Sequence, residues 1–201
     1  FLGVLVVGDG GATEFDQPVF EEDLWPVVRH HKPKKPAGYA PCAAEFFETF
    51  VALRERAESE SRKVFAYSTR EITEIKKRVH LRREVQWWEE NLLNARPYAK
   101  AWKKDHHNDV EFKKNKNKPM SGKYTLDQFF KLIGYEVPSP LRSGNTGQRI
   151  RHVRDMLNKH GGNYGALTPT AKGKWTKACL HNWHDCEGLR KLMIRCTREI
   201  P

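Results

Sequence analysis

The spacing of proline along the chain restricts its fold more than any other feature. Of the 11 prolines, five lie at positions 18, 26, 33, 36 and 41, and the next one along the chain is Pro97. Proline fixes φ, lacks an amide donor and disfavours helical geometry in the residue before it. Residues 1–41 are therefore predicted to form an extended, proline-rich arm, and long helices are expected only beyond it.

The arm also carries apolar side chains that lack helical spacing. These candidate anchors are Val19, Phe20, Leu24, Trp25, Val27 and Val28. Such an arm is expected to lie across another surface, either of its own domain or of a neighbouring protein. Its apolar start, residues 1–7, is far shorter than the roughly 18 residues that cross a bilayer, and is predicted to be a short strand or a flexible end. Because the chain starts at Phe1 and not at Met, we interpret it as a processed or incomplete product.

Residues 42–95 are predicted to form a helical hairpin. The first helix is expected within residues 42–66, and a capping-box pair, Ser68 with Glu71, predicts where a longer second helix begins. Four apolar residues of that second helix recur at helical spacing: Leu81, Val85, Trp88 and Leu92. Pro97 is expected to end or kink the helix, and the short connection favours antiparallel packing of the pair.

The rest of the chain divides into a polar linker and a second helical unit. Residues 96–122 are rich in Lys and Asn and are predicted to be a basic linker. Residues 123–201 are predicted to form a small helical domain, so the fold class expected for the whole chain is mainly α. Its helices are expected from the Thr125–Gln128 capping box to Gly134, over 146–159, and over 169–199 as one broken helix or two short ones.

Positive charge dominates the composition, but it is unevenly distributed. The net charge is +11, and residues 1–60 hold 11 acidic and 6 basic side chains, whereas residues 61–201 hold 14 acidic and 30 basic ones. The two balances are −5 and +16. A field of this sign favours anionic partners such as RNA, anionic lipid or an acidic protein surface. The contrast between the two parts predicts different partners for each.

Two groups of basic residues are predicted to contact an anionic partner. They lie in the linker and on the predicted helix over 146–159, and comprise Lys113, Lys114, Lys116, Lys118, Arg149, Arg151 and Arg154. Flexible lysines on a loop and arginines on a helix face suit phosphate contacts, which dominate affinity for nucleic acids. A solvated, lysine-rich surface that binds no nucleic acid stays the alternative interpretation.

Tryptophan is abundant, with six residues, and three of them are predicted to anchor protein interfaces: Trp25, Trp87 and Trp88. Adjacent residues of one helix cannot both face the same core, so one of Trp87 and Trp88 should point elsewhere. A partner surface suits that ring, because tryptophan is enriched at interface hot spots. Partial burial under neighbouring loops is the alternative.

A glycine-rich run after the apolar start, Val6 to Glu14, resembles the phosphate-binding start of small GTPases. In that family the loop continues with Gly and Lys, and the Lys ammonium neutralises the phosphates. Here Thr13 and Glu14 occupy those two positions, and a carboxylate repels phosphate. No cofactor and no cofactor-binding residue is therefore predicted.

Residues 179–186 combine two thiols and two imidazoles, which are potential zinc ligands: Cys179, His181, His184 and Cys186. The run is compact, whereas structural zinc sites usually join two separate loops. In a helix the two cysteines share a face with Trp183, so we interpret them as core thiols beside exposed histidines, and zinc binding is left open. The spacing of Cys186 and Cys196 resembles half of the twin Cys-x9-Cys pattern of small proteins of the mitochondrial intermembrane space. On one helix these cysteines would lie roughly 15 Å apart, too far for a disulfide.

No set of catalytic residues emerges from the sequence, so the chain is predicted not to be an enzyme and to have no small-molecule substrate. The predicted function is that of a structural accessory subunit of a large mitochondrial assembly. An energy-transducing complex of the inner membrane, either a respiratory-chain complex or ATP synthase, comes first, because acidic residues and tryptophan favour protein contacts. An RNA-contacting protein of the mitochondrial ribosome is the alternative. The expected partners are other protein subunits, with RNA or anionic lipid as further candidates.

Overall fold

The computed structural model of the chain describes residues 2–7, 13–31, 41–113, 123–142 and 145–199. The fold is mainly helical, which confirms the predicted fold class at that level. The helices are α1 (Trp25–His30), α2 (Phe46–Ser59), α3 (Arg70–Arg78), α4 (Arg82–Asn91), α5 (Ala95–His106), α6 (Leu126–Leu132), α7 (Thr146–Lys159) and α8 (Pro169–Arg198). The strands are β1 (Val4–Val7), β2 (Thr13–Val19), β3 (Pro41–Ala43), β4 (Val64–Ala66) and β5 (Leu92–Asn94).

The chain divides into two compact units that differ from the four segments predicted from sequence. Unit 1 comprises Phe1–Glu45 and Glu136–Gly188, and unit 2 comprises Phe46–Tyr135 and Leu189–Pro201. Unit 1 thus takes residues both from the predicted arm and from the predicted small helical domain. The sequence prediction relied on contiguity along the chain, whereas contacts between distant segments define the units.

The strands of unit 1 lie in its N-terminal part. β1 pairs antiparallel with β2, which places Val7 opposite Thr13, and β2 pairs parallel with β3, which places Gln17 opposite Pro41. The run that resembles a phosphate-binding loop therefore joins two strands, whereas a phosphate loop leads from a strand into a helix. Its residues 8–12 lie outside the described residues.

The core of unit 1 joins the N-terminal segment to α7 and α8. Its buried residues include Val19, Leu24, Val27, Val28, Val153, Leu157, Leu167, Ala171, Trp175 and Cys179. Each fully buried aliphatic side chain contributes about 1.5–3 kcal/mol to folding relative to an exposed one. The sequence left open whether the apolar anchors pack on their own domain or on a neighbouring protein. Four of them, Val19, Leu24, Val27 and Val28, pack on their own unit.

Helix α8 is continuous over 30 residues, so the prediction of a broken helix or two short ones is wrong. Gly173 and Gly188 each cost an α-helix about 1 kcal/mol relative to alanine. Fully buried side chains recur along the helix in steps of four residues, at Trp175 and Cys179 and again at Leu192 and Cys196. Their burial outweighs the helix-breaking tendency of the two glycines.

The other two helices of the C-terminal half match their predictions. α6 follows the capping box, in which the Thr125 amide donates to Gln128 Oε1 at 2.9 Å, and Gly134 follows the helix with φ +69°. α7 spans the predicted residues 146–159. At the start of α8, Thr168 Oγ1 accepts a hydrogen bond from the Ala171 amide at 3.2 Å, as expected for an N-cap before proline.

The single second helix predicted from Ser68 to residue 95 is wrong, because this stretch contains α3, α4 and β5. α3 ends where Val79 adopts an extended conformation (φ −102°, ψ 114°) and becomes buried. A β-branched residue is stable in extended geometry. The Val79 amide still donates to the Ile75 carbonyl at 2.8 Å, so the chain leaves the helix after this bond. Further along, β5 pairs parallel with β4, so the ladder replaces helical hydrogen bonds there. The predicted first helix, within residues 42–66, is α2 flanked by β3 and β4.

Pro97 lies in the first turn of α5, so it neither ends nor kinks a helix as predicted. The Asn94 side chain accepts a hydrogen bond from the Arg96 amide at 3.0 Å and caps the helix. A proline in the first turn loses no hydrogen bond, because the amides there have no intrahelical partner. The predicted basic linker thus begins as a capped helix, and Trp102 and Phe112 within it are buried.

Unit 2 is built around aromatic side chains. One buried cluster contains Ala99, Trp102, Phe112, Phe129, Leu192 and Cys196. Between α2 and α4, the Phe50 and Trp88 rings lie 5.2 Å apart, and Arg54 Nε donates to Glu84 Oε2 at 2.8 Å. α2 and α4 are therefore antiparallel, because the residue numbers of the two contacts rise along α2 and fall along α4.

Candidate interaction surfaces

The predicted linker lysines lie mostly beyond the described part of the chain. Lys114, Lys116 and Lys118 fall outside the described residues, so their role stays a prediction. Lys113 is exposed, and its carbonyl accepts a hydrogen bond from Gln128 Nε2 at 2.9 Å. This bond fixes the backbone of Lys113 at the N-terminal turn of α6 and leaves its ammonium in solvent.

The three predicted arginines of α7 differ in their surroundings. Arg149 Nη2 donates to the Pro140 carbonyl at 2.6 Å, and the Arg154 guanidinium forms an ion pair with Asp23. Both charges therefore serve contacts within unit 1. Arg151 is exposed and forms no hydrogen bond or ion pair within the described residues. Of the three, Arg151 is the residue best placed to meet an anionic partner.

Sequence reasoning missed a row of cations on α5, because that stretch was interpreted as a linker. Arg96, Lys100 and Lys104 are all exposed and follow one another at intervals of four residues. Residues four apart lie on the same side of a helix, about 6 Å apart along its axis. We call these three residues the α5 stripe. The four-residue spacing of these cations was visible in the sequence. It would have predicted the stripe if the helix had been expected to begin after Asn94, which caps it.

The turn that precedes α6 lies against the α5 stripe. Arg96 Nη2 donates to the Lys123 carbonyl at 2.8 Å, and Lys100 Nζ lies 5.1 Å from the centre of the Tyr124 ring. Tyr124 has φ +68°, an uncommon value for a residue with a side chain, and its carbonyl accepts a hydrogen bond from the Tyr67 hydroxyl at 2.6 Å. These contacts bring a fourth exposed cation, Lys123, next to the stripe.

The three tryptophans predicted to anchor protein interfaces are partly or fully buried within the chain itself. The Trp25 indole donates to the Val19 carbonyl at 2.9 Å, and the Arg29 guanidinium lies 5.6 Å from its ring centre. Trp88 is 2 % exposed, whereas the neighbouring Trp87 is half-buried. One ring of the adjacent pair thus enters the core and the other does not, as helical geometry requires.

A cleft of about 260 Å³ lies beside Trp87. It is lined by Arg54, Glu58, Arg83, Glu84, Gln86, Trp87 and Glu90. Arg54 is engaged there by Glu84 at 2.8 Å and by Glu58 at 2.6 Å. The cleft therefore combines an indole with charged groups, which suits a polar side chain of a partner better than an apolar one.

The cysteines of residues 179–186 are set in packed surroundings. Cys179 is buried in the core of unit 1, and this burial raises the pKa of its thiol far above the usual range. Cys186 faces Gly3, where an added Cβ would come within 2.7 Å of its sulfur. None of the four cysteines is in a disulfide, and Cys186 and Cys196 lie on the single helix α8.

The histidines of the same stretch are not both exposed, contrary to the prediction. The side chain of His181 is 12 % exposed, and its Nε2 lies 3.3 Å from Asp185 Oδ2. Burial, and to a lesser degree the neighbouring His181, lower the pKa of His184. Across the described residues, no group of three or more His, Cys, Asp or Glu side chains is arranged to hold a metal ion.

His31 forms a hydrogen-bonded network that the sequence did not predict. Its Nδ1 lies 3.0 Å from the Tyr164 hydroxyl, and its Nε2 lies 2.7 Å from Thr176 Oγ1. The Thr176 hydroxyl donates its proton to the Lys172 carbonyl at 3.2 Å, so it accepts from Nε2–H, and Nδ1 accepts from Tyr164. This arrangement needs a neutral imidazole. Burial, and then the positive charge of Lys172, lower the pKa of His31 and favour that state.

None of the helices in the described ranges is both long enough and apolar enough to cross a membrane. Comparison with known protein families gives no match, and neither do comparisons with curated proteins and with solved structures.

Proposed function

We propose that this chain is a non-catalytic accessory subunit of a large mitochondrial assembly and that it contacts RNA there, as a protein of the mitochondrial ribosome does. The observation that carries the proposal is the division of charge between the units. Unit 1 holds 12 basic and 11 acidic side chains, a balance of +1, whereas unit 2 holds 24 and 14, a balance of +10. A balance of that size on one compact unit favours a polyanion as partner.

The carboxylates of unit 2 add support, because many of them are engaged by cations of the same unit. Ion pairs within unit 2 involve Glu55, Glu58, Glu60, Glu74, Glu84, Glu89, Glu111, Asp127 and Glu199. By contrast, the α5 stripe forms no ion pair among the described residues. Exposed cations without carboxylate partners are available to phosphate groups.

The order of the two candidate assemblies changes from the one predicted from sequence. The inner-membrane complex came first because abundant tryptophan favours protein contacts, but Trp88, Trp102 and Trp175 are buried within the chain's own units. Their presence therefore requires no partner. The mitochondrial location is supported by the basic balance of the chain alone.

The state of three of the four thiols fits a role without nucleophilic catalysis by those residues. A cysteine acts as a nucleophile in its thiolate form. Burial raises the pKa of Cys196 to about 11 and that of Cys179 further still. Burial, together with the charge of Asp16, also raises the pKa of Cys42. These three thiols stay protonated at neutral pH.

A second candidate is a subunit of an energy-transducing complex of the inner membrane, and the cleft beside Trp87 favours it. The half-buried indole of Trp87 offers a rigid ring next to charged groups. Rings of this kind are enriched at the centres of protein interfaces. Such a surface would serve protein contacts without any need for RNA.

Fractionation of the native assembly tests the proposal and separates the two candidates. Mitochondria are lysed in mild detergent, treated with ribonuclease or left untreated, and sedimented. An RNA-contacting subunit is expected to leave the large particles after ribonuclease treatment, because its phosphate contacts are lost. Comigration with a membrane complex after that treatment would support the second candidate. Absence of the chain from all large particles would contradict both.

A further inference from the structure

We propose that the α5 stripe, Arg96, Lys100 and Lys104, binds the phosphodiester backbone of RNA. This inference rests on the proposed function and adds to it the surface and the chemical group that is recognised. The residues are new in this role, since the sequence pointed to the linker lysines and to α7. The stripe and the residues that contact it all belong to unit 2.

The geometry of the stripe suits a row of phosphates. The three residues are exposed, whereas Ala95, Ala99 and Trp102 of the same helix are buried in unit 2. The rise between consecutive members is about 6 Å, so the stripe extends over about 12 Å of helix. A regular row of cations on a rigid helix can follow a strand that carries one charge per nucleotide.

The charges of the stripe are not neutralised within the chain. None of the three side chains forms an ion pair in the described ranges. Asp105 follows Lys104 in sequence, but consecutive residues point about 100° apart around a helix. At the turn beside the stripe, Glu111 Oε1 lies 3.9 Å from Lys123 Nζ, so this carboxylate pairs with Lys123 and with no member of the stripe. The local balance therefore stays positive.

Contacts with the turn before α6 hold the stripe in place. The bond from Arg96 to the Lys123 carbonyl uses one nitrogen of the guanidinium and leaves others free to donate. Lys100 lies against the face of Tyr124, which restricts its side chain. Cations that are positioned in advance lose less conformational entropy when they bind.

The same contacts favour recognition of the backbone over recognition of bases. Lys100 Nζ lies over the Tyr124 ring, and the Phe112 and Phe129 centroids lie 5.7 and 6.4 Å from the centre of that ring. A base that stacked on the face beside Lys100 would have to displace the ammonium group. Binding through the stripe is expected to depend on charge and to be insensitive to nucleotide sequence.

A membrane surface fits the stripe less well than RNA does. Helices that bind at the lipid interface insert an apolar face below the headgroups. Ala95, Ala99 and Trp102 of α5 are already buried in unit 2. The exposed apolar residues of α5 are Pro97, Tyr98 and Ala101, and only Tyr98 among them is large, so α5 presents no continuous apolar face that could enter the bilayer.

A binding experiment with matched variants tests the inference. The full-length chain is titrated with a fluorescent single-stranded RNA of mixed sequence, and anisotropy is measured from low to physiological salt. The test variant is Lys100→Gln/Lys104→Gln. The control is Lys159→Gln/Lys177→Gln, which removes the same charge from exposed positions of unit 1. Circular dichroism checks that both variants are folded.

We expect the test variant to bind RNA about ten-fold more weakly than the parent at physiological salt. The plot of log K against log salt should also become less steep by about 1.4, because each of the two lost phosphate contacts contributes about 0.7 to the slope. The control is expected to change affinity less than three-fold. If the double variant does not fold, Lys104→Gln alone should weaken binding about three- to four-fold on the same reasoning.

The outcomes separate this inference from the proposed function. If the parent binds RNA and the test and control variants lose affinity equally, the stripe is not the site, and the proposed function stands. If the parent binds no RNA at physiological salt but binds vesicles of anionic lipid, both the stripe inference and the RNA-contacting role are overturned. Unchanged affinity in the test variant would also overturn the assignment of the stripe.

Discussion

Unit 1 and unit 2 build their cores and use their charges in different ways. Unit 1 joins the N-terminal segment to helices that lie more than a hundred residues further on, and its charges nearly cancel. Unit 2 is formed mostly by one continuous segment, packs aromatic rings and carries a balance of +10. The difference teaches that the N-terminal segment is a structural part of its unit, whereas nearly all of the excess positive charge lies in the other unit.

The first prediction concerns a substitution that disrupts the core of unit 1. Trp175 is fully buried there, so Trp175→Ala is expected to lower the free energy of unfolding by about 3–5 kcal/mol, through lost burial and a residual cavity. Urea unfolding followed by circular dichroism measures the loss. The matched control is Trp87→Ala in unit 2, which is half-buried and should cost clearly less. Equal losses from the two changes would contradict this description of unit 1.

The second prediction tests the contact between the N-terminal segment and α8 within unit 1. In Gly3→Ala, the new Cβ would lie 2.6 Å from Asn182 Nδ2 and 2.7 Å from Cys186 Sγ, so side chains must shift. The expected cost is about 1–3 kcal/mol of unfolding free energy, as for other overpacked sites. As a control, Gly173→Ala enters open space within α8 and should stabilise the protein by about 1 kcal/mol. An unchanged free energy of unfolding in Gly3→Ala would show that Gly3 is not closely packed against Asn182 and Cys186.

The third prediction concerns the start of α5 in unit 2. Asn94→Ala removes the side-chain acceptor of the Arg96 amide, and should lower the unfolding free energy by about 1 kcal/mol. Asn94→Asp keeps an acceptor at the N-cap and is expected to restore stability. Thermal unfolding of the two variants beside the parent gives the comparison. Equal thermal stability of Asn94→Ala and Asn94→Asp would show that the side-chain cap does not stabilise the start of α5.

The fourth prediction is the smallest and concerns pH. Because the pKa of His31 in the folded chain is lower than its ordinary value of 6.5, the unfolded chain binds more protons between those two pKa values. The contribution of His31 to the unfolding free energy therefore rises with pH in that window, and is lost on acidification below about pH 6.5. His31→Gln, which can keep a donor and an acceptor, should show a shallower loss of stability in acid.

The pH measurement needs one internal comparison. His184, also in unit 1, has a lowered pKa and contributes with the same sign. The slope in His31→Gln is therefore expected to fall but not to vanish. Identical slopes in parent and variant between neutral and mildly acidic pH would mean that burial and the charge of Lys172 do not keep His31 neutral.

Sequence patterns predicted structure well where local signals agreed with one another. The helix from Thr146 to Lys159 and the start of α8 after Thr168 follow from apolar spacing and capping residues, and the structure has both. The prediction failed between Ser68 and Pro97, where helical spacing of apolar residues continued across a strand. Pairing of β5 with β4 depends on a segment 28 positions earlier in the chain, and no local pattern reports it.

The candidate surfaces show the same limit. The excess of cations after residue 60 was visible in the sequence, and so was the impossibility of burying both Trp87 and Trp88. The α5 stripe was hidden, because Pro97 was interpreted as the end of a helix when it lies in the first turn of one. The His31 network was hidden for another reason, since its partners Tyr164 and Thr176 lie 133 and 145 residues away.

By itself the sequence determined the mainly helical fold, the net charge and the positions where capping residues start helices, because each depends on composition or on neighbours within a few residues. Tertiary structure alone decided that the N-terminal segment packs with α7 and α8, and that nearly all excess charge falls in unit 2. Burial and hydrogen bonding between distant residues contribute enough free energy to override local preference. The same distant contacts decide which cations are consumed in ion pairs and which remain on the surface.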